Sequence, residues 1–155
     1  MTSFRNLLTK PSRPIPRGWA LGILLAAIVG LVDAAYLTVQ HYVGGAVPCV
    51  VVKGCDTVLS SPYAVLLGLP VSLYGMVFYL AALVGAIAYL DSRKIFWLGW
   101  LGILALAGLL VTLGLLYLQI FVIKALCLYC LLSAGSSISI FVLLILGQLA
   151  IDRSN

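Results

Sequence analysis

Four apolar runs, each about as long as a bilayer is thick, decide what this chain can fold into. They cover residues 19–39, 70–90, 95–121 and 126–147. A hydrocarbon core of about 30 Å takes about 20 residues of helix, and a backbone in lipid must satisfy its own hydrogen bonds. The sequence therefore predicts an all-α integral membrane protein, a four-transmembrane-helix bundle with short, antiparallel connections. Composition agrees, since 64% of the 155 residues are hydrophobic and only 8% are charged, against roughly 25% charged in a soluble domain. The first run is too long for the apolar region of a cleavable signal peptide.

Charge sets the expected orientation. Arg5, Lys10, Arg13 and Arg17 precede the first run, Arg93 and Lys94 follow the second, and Arg153 follows the fourth. The opposite side holds only Lys53 and Lys124. Basic residues collect on the cytoplasmic side, so a single membrane domain is expected with a cytoplasmic basic leader (1–18) and both termini in the cytoplasm. Residues 40–69 and the turn at Lys124 then face outward, on the periplasmic or extracytoplasmic side of a cell (inner) membrane. The net charge of +5 is spent on this asymmetry. No basic face interleaved with aromatics is present, so nucleic acid is not an expected partner. Within the outward segment, "SPYAVLLGLP" (61–70) is apolar but too short to span. Pro62 suits a helix start, and Gly68 with Pro70 suits a stop, so a half-helix at the interface or over the bundle mouth is expected there.

That topology gathers the four cysteines on one face. Cys49 and Cys55 lie in the outward loop, and Cys127 and Cys130 open the fourth run as "CLYC". Two pairs on an oxidising side point to disulfides or to one exchanging network. Residues three apart on a helix share a face, and free N–H groups at a helix start favour thiolate, with Lys124 expected to add to this. Cys127 is placed nearer the water and Cys130 about 4.5 Å deeper, at 1.5 Å per residue. Exchange through a mixed disulfide needs only access and mobility, and either loop cysteine can be the one that meets Cys127. Inert packing and a four-cysteine zinc site in a non-catalytic scaffold or assembly subunit are the competing readings. The C-x5-C spacing of the loop pair is a poor zinc knuckle, and no metal is expected. The chain shows no haem, dinucleotide or flavin signature, so a lipid-soluble quinone is the remaining electron acceptor.

Other polar residues have plainer readings beside their functional ones. Asp33, an intramembrane carboxylate, is a proton-linked candidate, although it lies near enough to the outward end to be solvated. His41 reads as interfacial or as a proton carrier. Ser60 and Ser61 can cap the half-helix. Most tyrosines and tryptophans fit interfacial belts, and "SAGSS" (133–137) fits close helix packing.

The loop pair, "SPYAVLLGLPVSLYG" (61–75) and "CLYC", in that order and topology, resemble the vitamin K epoxide reductase family, in particular its microbial disulfide-forming members. The resemblance implies four core helices around a quinone of ubiquinone or menaquinone type. It implies that Cys49/Cys55 take electrons from a thioredoxin-like protein and pass them to Cys127–Cys130. Cys130 is then the quinone-side thiol, and Ser61 matches the family's serine near the quinone. Many bacterial members carry a fused thioredoxin-like domain; a separate outward partner is expected here. The other bacterial quinone-linked disulfide oxidase carries its CxxC in the first outward loop, unlike this chain. Two departures from the animal members stand out. Their Thr-Tyr-Ala after the CxxC reads Ser133, Ala134, Gly135 here, and their asparagine at the start of the second span reads Val71. Both argue against epoxide reduction but leave quinone reduction intact.

Overall fold

A computed structural model describes residues 14–44 and 54–152. Pro16, at φ −56° and ψ 149°, cannot extend a helix backwards, and α1 (Arg17–Val43) begins immediately after it. The helix stops at Gly44, whose left-handed backbone (φ 71°) turns its N–H back onto the Gln40 carbonyl, the conformation glycine adopts without penalty. After the loop come a short helix α2 (Cys55–Leu59), a 3₁₀ turn (Pro62–Ala64) and two antiparallel two-residue strands, β1 (Val65–Leu66) and β2 (Leu69–Pro70). The long helices α3 (Val71–Ser92), α4 (Ile95–Tyr117) and α5 (Leu128–Asp152) follow. A π-helical turn, Leu118–Ile123, extends α4.

The four long segments are each long and apolar enough to cross a membrane, and the protein is a multi-pass membrane protein. The distribution of residue sizes supports this independently. Buried faces carry Ala20, Ala27, Ala34, Ala82, Ala86 and Ala105, while Leu25, Val32, Val77, Val84, Ile103 and Leu110 stand exposed. A soluble bundle does the reverse. In lipid, apolar surface gains nothing by turning inward, and small residues face inward because they let helices approach closely. α1 packs on α3 and α5, and α4 closes the ring against the same two helices. Gly30 marks the tightest crossing: any Cβ there would overlap the ring of Tyr79 on α3.

Two expectations need correction. The short helix lies at Cys55–Leu59, upstream of 61–70, and Pro62 opens only a single 3₁₀ turn. Beyond it Leu67 and Gly68 both take positive φ (53° and 82°), the two-residue geometry that joins twisted antiparallel strands, so Val65–Pro70 folds back as a hairpin. Tyr79 and Tyr89 do not belong to an interfacial belt. Both are buried, with the Tyr89 hydroxyl donating to the Ile15 carbonyl at 2.9 Å.

Candidate functional site

The site is built where the α4–α5 turn meets α2. Lys124 takes a left-handed backbone (φ 55°) after the π-turn, and the chain wraps back around Gln119. The Gln119 carbonyl accepts the N–H groups of Lys124 and of Ala125 (3.1 Å), and its side-chain Oε1 accepts the N–H of Cys127 at 3.2 Å. α5 then starts with Cys127 as its capping residue. Its carbonyl takes the Leu131 N–H at 3.0 Å, and its Sγ takes the Cys130 N–H at 3.4 Å. A side-chain acceptor on the third helical N–H is how Ser, Thr or Asp caps a helix; here a thiol sulfur occupies that place.

This capping has an electrostatic result. The Cys130 thiol, and with it the N–H groups of Cys130 and Tyr129, bring the Cys127 thiol down from its ordinary 9.0 to about 7, against burial and the charge of Asp33. Lys124, expected to contribute, stands exposed and takes no part. Fixed N–H dipoles at a helix start replace the cation.

Burial divides the two thiols differently from the depth argument. Cys127 does not face water: it is 0% exposed and packs in one buried cluster with Cys55 (1%) and Val58 (8%) of α2. α2 gets this close because residue 54 is glycine, where a Cβ would overlap the Leu126 carbonyl. Cys55 is disulfide-bonded, whereas Cys127 and Cys130 carry free thiols. The partner of Cys55 therefore lies outside the described residues, as does Cys49.

Cys130 packs against the same cluster and also reaches the bundle interior. It lines a cavity of about 570 Å³ enclosed by α1, α3, α4 and α5 and covered by α2 and the 3₁₀ turn; Cys127 stays outside it. The walls are largely apolar (Leu37, Phe78, Val111 and Leu115 among them), with polar groups converging from several helices. Asp33 is 5% exposed, and neither of its carboxylate oxygens has a hydrogen-bond partner among the described residues. The Tyr79 hydroxyl donates to the Ser133 carbonyl at 2.6 Å and lies 2.9 Å from Ser133 Oγ. Ser137 Oγ is buried and has no hydrogen-bond partner among the described residues. His41 is exposed at the cavity mouth, and Ser61, half-buried there, donates its hydroxyl to the Val58 carbonyl at 2.7 Å. Ser60 likewise caps the end of α2 through the Asp56 carbonyl at 2.6 Å.

Cys55, Cys127 and Cys130 thus lie together, and Asp33, His41 and Ser61 all border the cavity. Sequence reasoning missed Gln119, Tyr79 and Ser137. Gln119 offered one signal, an amide inside an otherwise apolar run. Tyr79 and Ser137 offered none that set them apart from interfacial and small packing residues. Of the positions that depart from the animal pattern, Val71, Ser133 and Ala134 line the cavity, while Gly135 is exposed on the outer face of α5.

A pair of cysteines beside a mainly apolar cavity inside a membrane bundle fits a class, the membrane oxidoreductases. The chain belongs to the vitamin K epoxide reductase family, whose model matches residues 21–145. That match takes in all four cysteines and every cavity residue named above. No curated protein matches the chain.

Proposed function

We propose that the protein is a membrane thiol:quinone oxidoreductase that promotes disulfide formation in exported proteins. The observation that carries this reading is the placement of the CxxC pair between Cys55 and the cavity. Cys127 is buried against Cys55, and Cys130 lines the cavity. Electrons entering the loop pair Cys49/Cys55 from a thioredoxin-like protein on the outward side pass from Cys55 to Cys127 through a mixed disulfide. The Cys130 thiol is displaced in that step, and the loop disulfide then re-forms.

The residues present fit a quinone of ubiquinone or menaquinone type as the electron-accepting substrate. A volume of about 570 Å³ lies within the roughly 300–1,000 Å³ of small-molecule sites, and an apolar wall with few convergent polar groups is their usual lining. Quinone carbonyls accept hydrogen bonds, and the hydroxyls of Ser72, Thr112, Ser133 and Ser137 are among the donors that line the cavity. The chain's part is to hold the acceptor against Cys130 and keep out water. Arg17 at the start of α1 and Arg93 and Lys94 in the α3–α4 turn share the end away from the cysteines in this up-and-down bundle. By the positive-inside rule that end is cytoplasmic, which puts the redox cysteines on the outward face of the cell membrane.

The test is quinone reduction by the purified chain, with a reduced thioredoxin-like donor and a short-chain quinone. Cys130→Ala abolishes it on this reading, and full activity in that variant defeats the mechanism. The Cys49→Ser, Cys130→Ser double variant retains only Cys55 and Cys127 and is expected to form a disulfide between them on mild oxidation. Two free thiols by mass spectrometry would remove the relay.

A further inference from the structure

The thiol chemistry uses neither the carboxyl group of Asp33 nor any other acid, yet this side chain is placed where a proton is needed. It is 5% exposed, lines the same cavity as Cys130, and leaves both oxygens without a hydrogen-bond partner among the described residues. A structural role does not account for it. Buried carboxylates that hold a fold together are paired or hydrogen-bonded, and an unpaired one costs stability. Asp33, Leu37, Gln40, His41 and Gly44 form one continuous face of α1 along the cavity, ending at the exposed His41. Along α1, Asp33 lies about 12 Å inside His41, at 1.5 Å per residue.

We propose that Asp33 is the acid that protonates the quinone as Cys127 and Cys130 are oxidised. The proposal rests on the quinone reading above. The balance shows why an acid is required. Cys127 reacts as a thiolate and so brings no proton, whereas Cys130 brings one and quinol needs two. The step is Cys127 thiolate, Cys130 thiol, quinone and Asp33 carboxylic acid going to Cys127–Cys130 disulfide, quinol and Asp33 carboxylate. One S–S bond and two quinol O–H bonds form, and the Cys130 S–H and Asp33 O–H bonds break. Two electrons leave the sulfurs for the quinone, and the net charge is −1 on both sides. The carboxylate regains its proton from the outward side through the mouth that His41 borders.

The geometry also couples the two charges. A negative Asp33 opposes the Cys127 thiolate, so this corner of the bundle favours one negative charge at a time, first on sulfur and afterwards on the carboxylate. The remaining titratable groups facing the cavity are Tyr79 and Tyr74 from α3, Asp56 from α2, Tyr63 from the 3₁₀ turn and Cys130 from α5. Of the acidic ones, Asp56 stands exposed at the mouth, which leaves Asp33 as the carboxyl buried beside Cys130.

The experiment uses the full chain in lipid nanodiscs, reduced with dithiothreitol, freed of reductant and mixed rapidly with a short-chain ubiquinone analogue. Asp33→Asn is expected to slow quinol formation about 100-fold or more, in the range of lost general-acid catalysis. Radiolabelled quinone should be retained as in the parent, and thermal stability should be equal or higher. Formate is expected to restore part of the rate in Asp33→Ala by acting as a diffusible acid. Should the asparagine variant fail to fold, Asp33→Ser is carboxyl-free as well and carries the same expectation. An undiminished rate in a folded carboxyl-free variant overturns the proposal. So does a loss of quinone binding that matches the loss of rate, because Asp33 would then be a binding group. Failure of the unsubstituted chain to reduce quinone at all removes the quinone reading instead, which is a different result.

Discussion

The side-chain Oε1 of Gln119 holds the backbone N–H of Cys127 at 3.2 Å, tying the π-turn at the end of α4 to the cysteine that caps α5. Gln119 is 4% exposed. Together with its backbone carbonyl it organises the whole Lys124–Cys127 turn.

Gln119→Leu keeps the volume and removes that acceptor, leaving the Cys127 N–H buried without a partner. A lost hydrogen bond of about 0.5–1.5 kcal/mol, with the added cost of an orphaned donor, predicts a looser CxxC turn. The expected result is a fall in quinone reduction of about tenfold with little change in quinone affinity. Rapid-mixing kinetics and an equilibrium binding measurement separate the two.

The depressed Cys127 thiol sets a pH dependence. With its pKa at about 7, the thiolate forms as pH rises through neutrality and is lost as pH falls below it. Since the Cys130 thiol is the largest cause of the depression, Cys130→Ala is expected to shift the midpoint upward, toward the ordinary value of 9.0. Thiolate ultraviolet absorbance reports this directly and does not require a reagent to reach a buried sulfur.

Gly54 tests the contact between α2 and the CxxC turn. A side chain there overlaps the Leu126 backbone, so Gly54→Val must lift α2 away from Cys127. Quinone reduction driven through the loop pair by a protein donor is expected to drop at least tenfold. The rate of quinol formation from pre-reduced Cys127 and Cys130 in a single turnover should be nearly unchanged. Equal losses in both assays would show that α2 shapes the cavity and not the relay.

Gly30→Ala probes the bundle itself. The new methyl meets the buried Tyr79 ring, and overpacking of this kind costs about 1–3 kcal/mol. Lower thermal stability in detergent is expected, and Tyr79→Ala in the same chain should restore part of it by making room.

The bundle was legible because apolar length alone determines it in lipid. Helix rotation was not legible. When both faces of a helix are apolar, periodicity says nothing about which residue points inward, so Tyr79 passed for a belt residue and Ser137 for packing. The half-helix was misplaced because Pro62 looks the same before a 3₁₀ turn as before an α-helix, and only Leu67 and Gly68 in left-handed geometry reveal the hairpin. Cys130 could be assigned to the interior from its spacing, since depth follows the helical rise. The burial of Cys127 could not, because it depends on where α2 lies across a turn some seventy residues further along the chain.

The sulfur cap of α5 has a consequence for driving force. Helix N–H groups that favour thiolate at Cys127 lower the energy of the reduced CxxC pair and do nothing equivalent for its disulfide. A dithiol stabilised in this way belongs to a more oxidising couple. The Cys130 thiol and the two N–H groups at the start of α5 therefore raise the reduction potential of the CxxC pair above that of the same pair without this cap. The start of α5 tunes this couple before any acceptor is bound.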